Sequence, residues 1–209
     1  MNNDHDNNSI QAAKTECRAE AKRTLKEAGD DYISKASGTI ALNLLGMEEM
    51  KKAYNVLMYC SVGSEPGTLA VIERLFRTSK KVCLPLCTDL DENGHRSGDL
   101  YAMEARIIRS FDDLAPGAYG IPEPKAGTEL MKPEDLDLIV LPCVACDRSF
   151  RRIGHGAGYY DKYLSLVGRK CFKVALCYEK LLFDEVPAED HDMPVDAIVT
   201  EETVHRWRG

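Results

Sequence analysis

One stretch organises the chain, and it reads Arg151-Arg152-Ile153-Gly154-His155-Gly156-Ala157-Gly158-Tyr159-Tyr160-Asp161-Lys162-Tyr163-Leu164. The apolar run Leu138–Pro142 lies shortly upstream, and apolar side chains at helical spacing follow the glycines. The sequence therefore predicts a strand, a glycine-rich basic loop and a helix, in that order. Glycines let the backbone turn sharply and expose N–H groups, and a helix start adds partial positive charge. This combination suits a polyphosphate.

The basic side chains around the glycines stand out because the whole chain carries a formal net charge of -7. That balance argues against general nucleic-acid affinity, which needs a basic face. Two plainer interpretations compete with anion binding: a solvated charged turn, and a turn that only lets strand and helix pack closely. The loop is neither a dinucleotide fingerprint nor a P-loop. Phosphate binding is favoured because glycines are combined with basic residues at Arg148, Arg151, Arg152 and Lys162.

The length of 209 residues fits one domain with a substantial core, and no linker divides it. We predict a disordered tail at 1–9 and a single domain at 10–209. No window approaches the ~20 apolar residues that cross a bilayer, and the first residues lack the apolar region of a signal peptide. The eight cysteines are scattered, unlike those of a secreted disulfide scaffold. A reducing cytoplasm is the expected setting.

Strand-like and helix-like segments alternate along the chain. Helices are expected at 10–28, 31–45 and 69–78, and strands at 53–60, 81–86, 100–108, 137–141, 172–177 and 197–200. Strand, helix and strand in succession favour a parallel sheet with crossover helices. Residues 111–133, rich in proline and glycine, are predicted to form a long irregular connection. The expected fold class is a single-domain, three-layer α/β sandwich, with a mostly parallel sheet and helices on both faces.

Acidic residues near the predicted strand ends are candidates for ligand contacts. Glu65 follows a strand, and ligands of open α/β sheets bind beyond the carboxyl ends of the strands. It would then face the glycine loop; alternatively, it is an acid at the start of the next helix. Asp161 either caps its helix or, beside phosphates, holds Mg²⁺. The loop Glu189-Asp190-His191-Asp192 offers a second carboxylate or is solvated surface.

Cys143-Val144-Ala145-Cys146 spells C-x-x-C. A zinc site would need a second such pair or two histidines at suitable spacing, and a redox pair would need a different helix context. Buried or loop cysteines are favoured over both.

The span Arg152–Asp161 resembles the signature loop of the 5-formyltetrahydrofolate cyclo-ligases, also called methenyltetrahydrofolate synthetases. The resemblance extends from about Lys14 to Glu201. The other segments that share it are Lys14–Arg18, Ser64–Pro66, Gly120–Pro124, Asp137–Asp147, and His191–Asp196 followed by Ile198–Glu201.

The resemblance implies an ATP-dependent ring closure. In such enzymes 5-formyltetrahydrofolate, ATP and Mg²⁺ yield 5,10-methenyltetrahydrofolate, ADP and phosphate. The formyl oxygen attacks the γ-phosphate, N10 of the folate then closes on the activated carbon, and phosphate leaves. We expect a cytoplasmic monomer that uses ATP and Mg²⁺ as cofactors and binds neither nucleic acid nor membrane.

The same resemblance assigns the site residues. ATP is expected to contact one end of the first helix and the glycine loop, at Lys14, Thr15, Glu16, Cys17, Arg18, Arg152, Ile153, Gly154, His155, Gly156, Ala157, Gly158, Tyr159 and Tyr160. Folate is expected to contact Cys60, Glu65, His155, Gly156, Ala157, Gly158 and Tyr159. Mg²⁺ is assigned to Asp161 and Asp192, and the catalytic roles to Arg152, Tyr159 and Asp161.

Three positions depart from the pattern of the family. Phe150 occupies a position that is commonly glycine, Ile153 replaces the usual leucine, and Ala157 stands where many members have glycine or lysine. A lysine at 157 would add a phosphate contact, so its absence bears on ATP affinity. The alternative function is that of a non-catalytic nucleotide- or folate-binding paralogue on the same scaffold.

Overall fold

The structure, a computed structural model, describes residues 3–88, 103–117, 120–189 and 192–207, with side chains from residue 9 onward. The α-helices in this part of the chain are α1 (Asn3–Gly46), α2 (Glu48–Lys52), α3 (Leu69–Phe76) and α4 (Tyr159–Leu164). The strands are β1 (Asn55–Leu57), β2 (Lys81–Cys87), β3 (Met103–Ile108), β4 (Leu114–Pro116), β5 (Pro122–Pro124), β6 (Leu130–Met131), β7 (Leu138–Leu141), β8 (Ala145–Asp147), β9 (Arg152–Ile153), β10 (Phe172–Leu176), β11 (Leu182–Phe183), β12 (Ala197–Val199) and β13 (Val204–Arg206).

An eight-stranded sheet forms the centre of the fold, in the order β13-β12-β10-β7-β1-β2-β3-β6. Its pairings from β12 to β2 are parallel, and antiparallel strands extend it at both edges. Every residue of the continuously apolar β7 is buried, as expected of a central parallel strand. The predicted fold class, a single-domain α/β sandwich with a mostly parallel sheet, is confirmed.

The long helix α1 packs against the sheet and the segments next to it. Gly29 interrupts it with φ 81° and ψ 164°, so two helical segments meet where the sequence predicts a break. The fully buried Ile40 and Leu44 anchor the second segment, and each such side chain stabilises the fold by roughly 1.5–3 kcal/mol. The helix begins at Asn3, although the sequence predicts a tail up to Ser9. The extent of the single domain stays a prediction.

Several short elements differ from the sequence-based expectation. The connection at 111–133 contains β4, β5 and β6, and α2 and the edge strand β13 were not predicted. The strand expected at 100–108 corresponds to β3 (Met103–Ile108). Residues 100–102 of that prediction lie outside the described residues. The glycine loop does not follow β7 directly: the antiparallel hairpin β8–β9 comes between them. The loop therefore leaves β9, which holds Arg152 beside Cys146 of β8.

The buried carboxylate of Asp147 closes this hairpin. It accepts hydrogen bonds from the amides of Ser149 (2.8 Å), Arg151 (3.0 Å) and Val186 (3.1 Å), and from Nε of Arg151 (2.7 Å). The tight turn places Phe150 at φ 64°, a left-handed conformation that costs an ordinary L-residue roughly 1–2 kcal/mol. Phe150 is the position where the family resemblance calls for glycine, and this backbone geometry explains that preference.

Replacing Asp147 with alanine is expected to lower the free energy of unfolding by about 3 kcal/mol, because the buried Val186 amide and the Arg151 guanidinium lose their acceptor. Urea unfolding followed by circular dichroism measures the change. Asp184→Ala, at a fully exposed acid near the hairpin, is the control and should change stability by less than about 0.5 kcal/mol. An equal, small effect of both substitutions would show that the turn does not depend on Asp147.

Candidate active site

A cleft of about 570 Å³ opens where the connections after β1 and β7 meet the glycine loop and one face of α1. This is the carboxyl edge of the parallel strands, the usual place for a ligand in an open α/β sheet. One wall is apolar and includes Tyr59, Ile121 and Pro122. The polar part of the lining, here called the polar wall, includes Lys14, Arg18, Arg152, Asp161 and Asp192. The volume is within the range of small-molecule sites.

The glycine loop is shaped by left-handed backbone and held by α1. Gly156 and Gly158 have φ values of 101° and 72°, which side-chain-bearing residues rarely adopt, and Gly158 precedes the first residue of α4. Nε of Arg18 donates to the carbonyl oxygen of Gly154 at 2.8 Å. A Cβ atom at Gly156 would lie 3.4 Å from the Arg18 guanidinium, an ordinary contact distance, so the backbone angle and not the space favours glycine here.

Two cations of the polar wall, Lys14 and Arg152, contact carboxylates. Nζ of Lys14 is 2.6 Å from a carboxylate oxygen of Glu189 and 2.6 Å from one of Asp192. The guanidinium of Arg152 donates to Asp161 at 2.5 Å. These contacts join α1 to the segment that carries Glu189 and Asp192, and β9 to α4. Nε of Arg152 is buried and has no hydrogen-bond partner among the described residues, so the side chain keeps a donor for a ligand.

Glu65 and His155 form a contact that joins the connection after β1 to the glycine loop. Oε1 of Glu65 lies 2.7 Å from Nε2 of His155, and Oε2 accepts from the amide of Val62 at 2.8 Å. The hydrogen bond to Glu65 raises the pKa of His155 above its ordinary value of 6.5, although burial acts in the opposite direction. Glu65 therefore faces the glycine loop rather than serving only as an acid at the start of α3.

The pKa of His155 is expected to fall toward 6.5 when Glu65 is replaced with glutamine, because a neutral amide no longer favours imidazolium. The pair's contribution to stability is complete below pH 6.5 and is lost as the pH rises through the raised folded pKa. An NMR titration of the His155 ring protons in both proteins measures the shift, with His205 as an internal reference. Identical His155 titration curves would contradict the contact.

Most predicted site residues meet in this cleft. Cys60, Glu65, Lys14, Arg18, every residue of Arg152–Asp161, and Asp192 line it. Burial raises the pKa of the Cys60 thiol to about 11, which keeps it neutral at physiological pH. Residues 190 and 191 of the predicted acidic loop lie outside the described residues, whereas Glu189 lines the cleft.

Three predicted ATP-binding residues of α1 do not line the cleft. Thr15 and Glu16 are exposed, and Cys17 packs with Ala145 and Ile153 in a small separate cluster. The reason is the helical repeat: Lys14 and Arg18 share one face, and the residues between them point elsewhere.

The basic cluster predicted around the loop is also largely turned away. Arg151 binds Asp147 and Glu185, and Arg148 lies 3.8 Å from Asp184. Of that cluster only Arg152 lines the cleft, and Lys14 and Arg18 of α1 supply the other positive charges. The apolar wall was missed as well, although the Pro-rich stretch that carries Ile121 and Pro122 indicates an ordered, rigid segment.

None of the described helices is both long and apolar enough to cross a membrane.

The fold and the cleft define an α/β protein with a cleft at the carboxyl edge of its parallel strands, where a glycine loop meets cationic side chains and an apolar wall. The family model described as the 5-formyltetrahydrofolate cyclo-ligase family matches residues 10–201. The 5-formyltetrahydrofolate cyclo-ligase of Saccharomyces cerevisiae is 30% identical to the chain over 94% of its residues and 99% of the relative. The NMR structure of Aquifex aeolicus 5,10-methenyltetrahydrofolate synthetase is similar, with 30% identity, coverage of 94% of each chain and a TM-score of 0.78.

The chain belongs to the 5-formyltetrahydrofolate cyclo-ligase family and is a ligase. The resemblance drawn from the signature loop is thereby confirmed.

Proposed function

We propose that the protein converts 5-formyltetrahydrofolate, with ATP and Mg²⁺, into 5,10-methenyltetrahydrofolate, ADP and phosphate. The observation that carries this proposal is a single cleft whose lining brings together two groups of residues beside the glycine loop. Lys14, Arg18 and Arg152 are here called the cationic half, and Glu65, His155 and the apolar wall the folate half. A phosphoryl donor and an apolar, hydrogen-bonding acceptor can therefore lie side by side. Membership of the family supports the choice of the folate as acceptor.

The cationic half fits the triphosphate of ATP. Lys14 and Arg18 supply charge from α1, Arg152 supplies it from β9, and the amides of Gly154–Gly158 border the same space. The orphaned Nε of Arg152 is a donor that a phosphate oxygen would satisfy. Phosphoryl transfer depends on such positioning and charge neutralisation more than on a protein nucleophile.

The carboxylates fit Mg²⁺, which is bound by one or two carboxylates together with phosphate oxygens. Asp161 and Asp192 line the cationic half, and each is paired with a cation, Arg152 and Lys14 respectively. With Mg-ATP bound, Asp161 and Asp192 would hold the metal, and Arg152 and Lys14 would turn to the phosphates. Bound Mg²⁺ would supply Lewis acidity and neutralise the phosphate charge.

The other half fits the folate. The Glu65 carboxylate is oriented by Val62 and His155, and it can accept hydrogen bonds from an amino group of the pterin ring. Cys60 and the span His155–Tyr159 border the ring, and Tyr159 presents an aromatic face. Tyr160 lines the same cleft with a buried hydroxyl that has no partner among the described residues, so it offers one more polar contact.

The ring closure then requires little acid–base chemistry from the chain. The formyl oxygen attacks the γ-phosphorus and the bond to ADP breaks, which gives a phosphorylated formyl group. N10 attacks the activated carbon and gives up its proton to the departing phosphate or to solvent, and the C–O bond breaks as phosphate leaves. Arg152, in the cationic half, neutralises the charge that develops on the phosphate in both steps. Tyr159 fixes the folate against the loop.

An absorbance assay tests the proposed function. The purified chain with 5-formyltetrahydrofolate and Mg-ATP should develop the near-ultraviolet band of the methenyl product, and omission of ATP should abolish it. If both ligands bind in equilibrium measurements and no product appears, the chain is a binding paralogue instead. A cytoplasmic location and a monomeric state stay predictions.

A further inference from the structure

A cluster of thiols lies behind the cleft and has no part in the proposed reaction. Cys143, Cys146 and Cys177 are buried, and all three are free thiols. Their sulfur atoms lie within 4.8 Å of one another, and those of Cys143 and Cys146 are 3.4 Å apart. Cys143 and Cys146 form the C-x-x-C pair of the sequence. Cys177 follows β10 and is distant along the chain, so spacing alone could not reveal the third member.

We propose that these three sulfurs form a binding site for one thiophilic d¹⁰ cation, such as Zn²⁺ or Cu⁺. Three sulfurs around one cation at about 2.3 Å stand about 4.0 Å apart, so the present separations require shifts of only about half an ångström. Among the described residues the cluster contains sulfur donors only. Thiolate-only sets select soft cations over Mg²⁺ or Ca²⁺, so the site is chemically distinct from the carboxylates of the cleft.

The surroundings of the cluster support cation binding. Cys146 and Arg152 are directly opposite each other in the β8–β9 pair, and the Arg152 charge acts on both Cys143 and Cys146. A nearby positive charge offsets the excess negative charge of a cation with three thiolates. The S–H of Cys146 donates to the Cys143 sulfur, and this contact lowers the pKa of the Cys143 thiol. The S–H of Cys143 itself donates to the carbonyl oxygen of Leu176 at 3.0 Å, so cation binding would release protons from the thiols.

A bound cation would join three segments of the chain, the first of which borders the cleft. Cys143 follows Pro142, which lines the cleft, Cys146 belongs to β8, and Cys177 follows the central strand β10. A cation that binds the folded chain and not the unfolded chain stabilises the folded state by mass action. At a cation concentration about 100 times the dissociation constant, the midpoint of thermal unfolding should rise by about 5–10 °C.

The test uses the whole chain, freed of metal by a chelator and kept reduced with a phosphine. Cd²⁺ alone and Cu⁺ alone are titrated, and the ultraviolet sulfur-to-metal charge-transfer absorption is recorded. One equivalent should bind in at least one arm. Cys143→Ala, Cys146→Ala and Cys177→Ala should each weaken binding at least about 100-fold. The matched controls Cys83→Ala and Cys171→Ala remove buried thiols elsewhere and should leave the affinity unchanged.

X-ray absorption of the metal-loaded wild-type chain gives an answer even if a variant fails to fold. A shell of three sulfurs at about 2.3 Å supports the site. A shell of nitrogen or oxygen atoms, the absence of any charge-transfer band, or equal binding by the cluster variants and the two controls overturns it. A redox function is recognised separately, because oxidation would remove two of the free thiols from a thiol count and leave no metal bound.

Discussion

Replacing Arg152 with alanine should lower kcat/KM for ATP by about 100- to 1,000-fold, the loss typical of removing one preorganised donor from a developing charge. The KM for 5-formyltetrahydrofolate should change by less than about threefold, since the folate half keeps its contacts. The side chain is buried, lies in the cleft, is held by Asp161 and keeps one donor free. No other cation of the predicted basic cluster lines the described cleft, so none replaces it.

Arg151→Ala is the matched control for this substitution. It removes the same charge from the adjacent residue, but that side chain binds Asp147 and Glu185 and does not line the cleft. Steady-state kinetics at a temperature where both variants are folded should show a large ATP defect only for Arg152→Ala. Arg152→Lys should recover part of the activity, because the charge returns without the guanidinium fork. Equal losses for ATP and folate would contradict the phosphate role of Arg152.

Replacing Glu65 with glutamine should raise the KM for 5-formyltetrahydrofolate by about 10- to 100-fold, because a hydrogen bond to a charged group contributes about 1.5–3 kcal/mol. The KM for ATP should stay within about threefold, since Glu65 contacts His155 and Val62 and none of the cations on the polar wall. Glutamine has nearly the same shape, so the change isolates the charge.

Glu49→Gln is the matched control for the folate prediction. Glu49 is also an ion-paired carboxylate, but its partner is Arg206 and neither residue lines the cleft. Equilibrium binding of folate and of ATP to each variant separates affinity from turnover. A Glu65→Gln protein that loses ATP binding and retains folate binding would reverse the assignment of the two halves of the cleft.

The order of the main elements could be predicted because hydrophobic periodicity and composition depend on residues that are close together in the sequence. The continuous apolar run of β7, the break at Gly29 and the glycine loop before α4 all follow from residues close in sequence. The hairpin β8–β9 escaped prediction because its strands are very short and its turn depends on Asp147. That carboxylate reaches Val186, far along the chain, and no local pattern reveals such a contact.

The site was predictable in part, for the same reason. A resemblance to a family brings Lys14 and Asp192 to one place, whereas periodicity cannot pair residues at opposite ends of the chain. Physical reasoning placed Arg148 and Arg151 around the ligand because they neighbour the glycines, yet their carboxylate partners turn them away. The apolar wall at Ile121 could be recognised only from the tertiary structure. The composition of a Pro-rich stretch does not indicate where in the fold its side chains lie.

We propose above that the formyl oxygen of the folate is phosphorylated directly by ATP. 5-Formyltetrahydrofolate labelled with ¹⁸O in the formyl group should transfer its label to inorganic phosphate, one atom for each methenyl product formed, with one ADP released. That outcome follows because the C–O bond breaks only after the oxygen has been bonded to phosphorus. Label found in water, with unlabelled phosphate, would contradict a phosphorylated formyl intermediate.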